Sequence, residues 1–484
     1  MKNKKTGGNA SAGAGAVRFL TVPPEAAGML LSDWFALAGI AFPLPCGGRG
    51  ICGGCTVTLA DGSRVPACSF TVPKGGISVR DPSPAPAAAA EPSSTPRERP
   101  DMALDIGTTT LELALVGDGG AAGRSVTALN PQAVFGADVI SRITACREGK
   151  LTAMRTCLTE TVNSMIHSLS PGGARTIYAV GNPTMAHIFC GVSPEPIGTY
   201  PFTPVFTGTR ELRAESGLDA GRTVLLPAAS AFIGSDITAG LYASGIFPGE
   251  DRDGPVLFCD LGTNGETVLK AGGRLFAASS AAGPALEAAG ISCGTGGVGG
   301  AVSEVYDAAG GTGELKYSTV GGLPPAGICG SGLCDLVACL VERGVITADG
   351  RLTSPGGFAL CPNVLLTQKD VRNFQLAQSA VRAAVKTLLA TAGIEAGDIA
   401  SVILAGGLGS RIRPSSAVRA SLFPSVFEAK IRQSGNTALR GAAACAADPD
   451  AVGKLEEIAA ACETVDLMSS DFFAAAFIGN MRFG

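Results

Sequence analysis

The sequence predicts an α/β chain made of two unequal modules joined by an extended tether. Three observations predict it: a proline-rich break at residues 81–100, a β–α–β pattern ahead of it, and alternating strand and helix signals behind it. Of 484 residues, 46% are hydrophobic, only 16% are charged and 67 are glycine, which suits a well-filled core with many tight turns. The net charge is −4, and so mild an acidity argues against a non-specific nucleic-acid binder, which needs a basic surface. The longest uncharged stretches, Thr176 to Pro194 and Tyr317 to Cys334, are interrupted by Gly and Pro, so no membrane span is expected. Lys2, Lys4 and Lys5 are followed by Gly, Asn, Ala and Ser instead of an apolar run, so no export signal is read and the expected location is the cytoplasm.

The first module, residues 15–80, alternates as a strand at Val17 to Val22, carries helical spacing from Pro24 to Ala38, and returns as strands at Thr56 to Leu59, Arg64 to Pro66 and Ile77 to Val79. In the linker, residues 81–100, six prolines (82, 84, 86, 92, 96 and 100) alternate with Ala, Ser and Glu. Such a chain extends as polyproline II at about 3.1 Å per residue. The second module, residues 101–484, has strands expected at Ala103 to Ile106, Leu111 to Val116, Thr176 to Val180, Val256 to Leu261, Thr267 to Lys270 and Ser401 to Ala405. Its clearest helices are Thr152 to Leu169, Gly332 to Arg343 and Lys369 to Ala392.

The sharpest local signal is Cys46-Gly-Gly-Arg-Gly-Ile-Cys52-Gly-Gly-Cys55, followed by Cys68. Four cysteines are the usual ligand set of a 2Fe–2S cluster, and glycines let the loop wrap it without side-chain clashes. Structural zinc is the competing ligand, but it favours two paired C-x₂-C knuckles and only one pair is present. The module resembles the 2Fe–2S ferredoxins of β-grasp fold through its C-x₅-C-x₂-C spacing. The twelve residues separating Cys55 from Cys68 make a shorter gap than many ferredoxins have, so Cys68 is the least secure ligand. The other eleven cysteines read as small buried hydrophobes.

Two segments repeat one pattern: Asp105-Ile-Gly107-Thr108-Thr109-Thr110 and Asp260-Leu-Gly262-Thr263-Asn264-Gly-Glu266. Each lies between two apolar strands, so each reads as a hairpin turn whose amides form a nest for phosphate oxygens. The Asp at each base can hold Mg²⁺, directly or through water. A single such turn often uses Asp and Gly for conformation alone; two copies suggest a duplicated nucleotide clamp. A third element, Val402-Ile-Leu-Ala-Gly406-Gly407-Leu-Gly409-Ser410, runs a strand into bare backbone that a nucleoside can approach. The trio resembles the superfamily of acetate and sugar kinases, Hsp70 and actin, whose two lobes close on ATP. The expected lobes are roughly 101–255 and 256–484.

The whole chain resembles the reductive activators of corrinoid-dependent enzymes. Further blocks carry the resemblance: Asn130-Pro-Gln132, Phe135 to Arg142, Gly181 to His187, Phe232 to Ile237, Ala282 to Glu287 and Gly327 to Gly332. It implies rescue of corrinoid proteins of methyltransferase systems from Co(II) to Co(I), with an electron supplied by an upstream low-potential donor. It also implies that this chain lacks the separate middle domain of some members and the C-terminal cysteine-rich cluster of others. By residue, Cys46, Cys52, Cys55 and Cys68 carry iron, and Asp105 and Asp260 position Mg²⁺. Gly107, Thr108, Thr109, Gly262, Thr263 and Asn264 hold ATP phosphates, and Gly406, Gly407 and Gly409 face adenosine.

Some roles stay open at this point. Glu266 reads as a water-orienting base or as an exposed hairpin side chain, and Asp236 as a catalytic or Mg²⁺ residue or as a helix cap. His167 reads as structural, while His187 reads as a core or capping group, with an approach to the partner as the alternative. A homodimer is an admissible assembly. The rival functions are a small-molecule kinase with a redox-regulatory ferredoxin, and a binding protein that senses nucleotide without turnover.

Overall fold

The structure is a computed structural model that describes residues 19–37, 56–61, 63–67, 69–80, 99–213, 216–249, 254–262, 264–307 and 313–484. It divides into two compact units, residues 1–95 and 96–484, and the division falls inside the expected linker.

In the first unit, β1 (Phe19–Val22) pairs antiparallel with the later strand Ile77–Arg80, placing Leu20 opposite Val79. The expected single helix after β1 is instead a 3₁₀ turn at Pro24–Ala26 followed by α1 (Leu31–Leu37). Gly28 separates the two at φ +85°, a conformation that ends helical pairing. β2 (Thr56–Thr58) and β3 (Arg64–Pro66) form an antiparallel pair. The bridge Leu59–Val79 joins that pair to the last strand, β4 (Ile77–Arg80). Val22, Leu31, Phe35, Val57, Val72 and Val79 make the core. Val17, Cys46, Cys52, Cys55 and Cys68 lie outside the described residues.

The second unit contains one sheet pattern twice. β5 (Met102–Ile106), β6 (Thr110–Val116) and β7 (Ala122–Leu129) form an antiparallel meander, and β5 also pairs parallel with β8 (Ala174–Gly181). β9 (Arg210–Leu212) and β10 (Ala220–Leu225) extend the sheet to the order β7-β6-β5-β8-β10-β9. In the second sheet β11 (Val256–Leu261), β12 (Gly265–Ala271) and β13 (Arg274–Ser280) repeat the meander. After the small strands β14 (Ala301–Tyr306), β15 (Lys316–Thr319), β16 (Gly327–Ile328), β17 (Phe358–Cys361) and β18 (Val364–Leu366), the parallel neighbours follow. These are β19 (Ser401–Ala405) beside β11 and β20 (Ile431–Gln433) beside β19, with β21 (Cys462–Thr464) at the far edge.

Helices cover these sheets through apolar stripes. α2 (Val139–Arg147) opens on a capping box from Asp138, and α3 (Leu151–Leu169) buries Met154, Leu158, Val162, Met165, Ile166 and Leu169, the spacing of one helical face. α4 (Pro183–Phe189) and α5 (Ser235–Ala243) complete the first half. α6 (Gly330–Glu342) and α7 (Gln368–Ala392) pack into the core behind the second sheet. The short α8 (Gly406–Gly409) and α9 (Pro414–Arg419) follow β19. α10 (Thr437–Ala444) and α11 (Ala451–Ala461) then return to the first sheet, where Ala438, Leu439, Ala442 and Ala443 pack on Ala103, Ala114 and Val180. Gly441 permits this, because a Cβ there would sit 2.1 Å from the Ala239 carbonyl of α5. α12 (Asp471–Gly479) closes the chain against α7. Of the eleven cysteines expected to be core, six are buried and five partly buried, all free thiols. Among the described residues no helix is long and apolar enough to cross a membrane.

Candidate functional site

The two repeated segments fold as expected, each as the turn of a hairpin at the head of its sheet. In the first, every carbonyl of the turn is held from within the protein. Gly107 O accepts from Asn130 Nδ2 (2.8 Å), Thr108 O from Arg142 (2.7 Å), Thr109 O from the Asn130 amide (2.9 Å) and Thr110 O from the Gly107 amide (3.0 Å). Asn182 Nδ2 also donates to Thr108 Oγ1 (2.9 Å). The amides of Thr108 and Thr109 make no hydrogen bond among the described residues, and Thr109 is exposed. Carbonyls inward and amides outward is the polarity of an anion nest. Three of the blocks noted in the sequence, around Asn130, Arg142 and Asn182, thus converge on this turn as its supports.

In the second hairpin the Gly262 amide donates to Asn264 O (3.0 Å), and Thr263 lies outside the described residues. The glycine-rich segment meets this hairpin directly. Gly406 has φ +79°, and a Cβ on it would lie 2.2 Å from Asp260 Oδ1, so only glycine fits against that carboxylate. Gly407 has open space around it, whereas Gly409 is buried on the backbone of Leu404. Of the three glycines, Gly407 is the one left free to meet a ligand.

Strand register places a carboxylate opposite each Asp: Glu112 faces Asp105 and Glu266 faces Asp260. Burial pushes Asp105 up to about 7, with Asp236 and Glu112 adding repulsion against the Asn436 hydrogen bond. Asp260 reaches about 7 through burial and then the charges of Asp105 and Glu287. Asp236 also reaches about 7, through burial and then Asp260. Glu266 is raised well above its ordinary value by burial, with Asp236 and Asp260 adding to it, so it belongs to the cluster and is not an exposed hairpin side chain. Asp236 sits in the first turn of α5, one residue inside the helix whose cap residue is Gly234, and its Oδ1 accepts from the Ile237 amide (2.9 Å), so it serves the helix end while belonging to the cluster. Asp105, Asp236, Asp260 and Glu266 make no ion pair among the described residues. Among the described residues no group of three or more His, Cys, Asp or Glu is arranged to hold a metal ion directly, so the cluster is a set of oxygen donors without a protein cation.

Asn436, at the start of α10, reaches the first hairpin and was not legible as a site residue. Its Oδ1 caps α10 by accepting from the Leu439 amide (2.9 Å), while its Nδ2 donates to Asp105 Oδ2 (2.9 Å) and Glu112 Oε2 (3.0 Å). Asn ahead of Ala438, Leu439 and Ala442 is a readable helix start, but its reach to Asp105 needs the fold. Glu112 was missed as well, though counting back from Asp105 across the hairpin finds it. His187 is buried, stacked on Phe206 at 4.2 Å, and uses both nitrogens, to Pro183 O (2.7 Å) and the Val205 amide (3.1 Å). It is a structural group. His167 lies on the exposed side of α3 with Asp219 at 2.6 Å.

Comparison with known proteins accords with this architecture. Residues 254–484 match a family described as "C-terminal domain of RACo the ASKHA domain", and residues 101–247 match "RACo middle region". The second match falls on the first half of the large unit, which forms one compact unit with the rest of residues 96–484. The corrinoid activation enzyme RamQ of Eubacterium limosum is 30% identical over 438 residues, covering 81% of this chain and 72% of the relative. A [Co(II) methylated amine-specific corrinoid protein] reductase of Methanosarcina barkeri is 31% identical over 250 residues, 47% of this chain and 45% of the relative. Among solved structures, a reductive activator for corrinoid, iron–sulfur protein superposes with a TM-score of 0.73 at 26% identity, covering 98% of this chain and 80% of that one. The chain belongs to the family of reductive corrinoid activators.

Proposed function

We propose that this protein is an ATP-dependent reductive activator that returns the cobalt of a corrinoid protein in a methyltransferase system from Co(II) to Co(I), one electron per event. The observation that carries the reading is the pair of hairpin turns, Asp105 to Thr110 and Asp260 to Glu266, brought near enough that the Asp105 charge helps raise the Asp260 pKa. Outward amides at Thr108 and Thr109 bind phosphate oxygens, and Gly262, Thr263 and Asn264 play the equivalent part opposite. Asp105 and Asp260 would hold Mg²⁺ through its waters, and the ion would supply positive charge against the phosphates. Gly406 and Gly409 shape the turn on which Gly407 meets adenosine. Glu266, held by Ser279 Oγ at 3.1 Å, orients the attacking water.

The electron side rests on the sequence. Cys46, Cys52, Cys55 and Cys68 in a β-grasp module of residues 15–80 would hold a 2Fe–2S cluster, which supplies single electrons near about −400 mV. An upstream low-potential donor refills it. Reduction of Co(II) from such a donor is uphill, and nucleotide binding can drive it only through a difference in affinity between the two states.

ATP hydrolysis measured with and without a Co(II) corrinoid protein tests this reading. Partner-stimulated hydrolysis that disappears in Asp105→Asn and Asp260→Asn is expected. Hydrolysis indifferent to both substitutions would place the nucleotide elsewhere and overturn it.

A further inference from the structure

We propose that Arg142 is a positioning residue for the nucleotide's phosphates, a buried guanidinium that fixes the first turn from behind and sets a positive charge beneath its outward amides. The proposal rests on the nucleotide reading above and adds the device that makes this turn select phosphate.

Arg142 is fully buried in α2, an unusual place for a charge. Its partners are neutral: Nε donates to Gly136 O (3.0 Å), and the terminal nitrogens to Thr108 O (2.7 Å), Gln132 Oε1 (3.3 Å) and Met185 Sδ (3.0 Å). It makes no ion pair among the described residues. Asp138, the acid that most stabilises its charge, is occupied capping α2 through the Ser141 amide at 2.8 Å. The charges that act on Asp105 are Asp236 and Glu112, so the acidic cluster does not neutralise Arg142. Burial lowers its pKa to about 10, which leaves it charged at neutral pH.

A buried charge without an ion-pair partner is costly, and a neutral donor could satisfy the same carbonyls at lower cost. Its presence is explained if an anion completes the arrangement, and the turn it supports offers an exposed Thr109 and two amides without a partner among the described residues. Asp105 and Glu112, on the same hairpin, repel phosphate, and a cation held beneath Thr108 offsets them. Its fork also locks the Thr108 peptide with the carbonyl inward, which leaves the amides facing the cleft.

The test is calorimetric titration of the full chain with adenosine, AMP, ADP and ATP at fixed Mg²⁺, using wild type, Arg142→Gln and Arg142→Lys. The Gln variant is expected to lose affinity in step with phosphate number: less than about twofold for adenosine and roughly tenfold or more for ATP. The Lys variant, which keeps the charge, is expected to recover most of the ATP loss. An equal loss for all four ligands, or a Lys variant as poor as the Gln variant, would overturn the proposal. If the Gln variant does not fold, the Lys variant decides alone: an ATP-to-adenosine affinity ratio within about threefold of wild type supports the proposal, and a collapsed ratio overturns it. Wild type without affinity for ATP would instead remove the nucleotide reading itself, and this proposal with it.

Discussion

Asn436 offers the most discriminating perturbation of the cleft, because two of its functions can be separated by substitution. Its Oδ1 caps α10 and its Nδ2 bridges Asp105 and Glu112. Asn436→Ala removes both. The cap is worth about 1 kcal/mol, and hydrogen bonds to charged groups about 1.5–3 kcal/mol each. A loss of about 4–7 kcal/mol is therefore expected, which lowers the thermal midpoint by roughly 5–9 °C in a unit of this size. Asn436→Asp keeps the cap, since Asp caps as well as Asn, but replaces the bridging donor with another carboxylate. At about 4 Å and an effective dielectric near 20, that repulsion approaches about 4 kcal/mol before protonation relieves it. The Asp variant should therefore be at least as unstable as the Ala variant at pH 8. It should recover at pH 5, below the values near 7 of Asp105 and its neighbours, where the cluster takes up protons. The Ala variant's deficit should change much less with pH. Thermal unfolding of the three proteins at both pH values is the assay. An Asp variant as stable as wild type at pH 8 would reduce Asn436 to a helix cap and refute the bridge.

Other expectations follow from the same geometry. Asp105, Asp236 and Asp260 ionise near pH 7 when folded but near 3.8 when unfolded, so the ligand-free protein should lose stability as pH rises from about 4 to 7 and level off above. Mg²⁺ with ATP should flatten that fall, and thermal midpoints that rise across the same window would contradict it. Gly406→Ala sets a Cβ against the Asp260 carboxylate at φ +79°, and should cost about 2–4 kcal/mol and weaken ATP binding. Gly407→Ala has space around it, so its thermal midpoint should match wild type; equal damage from both would refute the packing argument. Ser at Cys46, Cys52 or Cys55 should abolish the visible absorption of a 2Fe–2S centre while ATP affinity stays within about twofold, and retained absorption in all three would remove the ligand assignment.

Much of the fold was legible because its signals are local. The strands at 103–106, 256–261 and 401–405 are short apolar runs bounded by Asp or Gly, and the helix around Met154, Leu158 and Val162 repeats at helical spacing. Both hairpins could be read for the same reason, since turn chemistry and flanking strands lie within a dozen residues. The supports of the cleft were harder to find. Asn436 lies 331 residues from Asp105, and the two meet only because α10 returns to the first sheet. Arg142 looks like a surface residue of an amphipathic helix until the turn it holds is known. Glu266 changes meaning in the same way, from a hairpin residue to a member of a buried acidic cluster, once Asp236 and Asp260 surround it. The helix expected from Pro24 to Ala38 breaks at Gly28, a local signal that apolar spacing outweighed.

The central claim is that ATP, bound between the two hairpins, drives an electron from this protein onto a corrinoid cobalt. The most direct measurement is the anaerobic visible spectrum of a Co(II) corrinoid protein mixed with this protein and a low-potential reductant, recorded with and without ATP and Mg²⁺. The account predicts a Co(I) band that forms with ATP and Mg²⁺ and fails to form without them or with Asp260→Asn. A protein with an intact cluster that yields no Co(I) across a broad panel of corrinoid partners would contradict it, and a phosphorylated small molecule in a parallel screen would then favour a kinase.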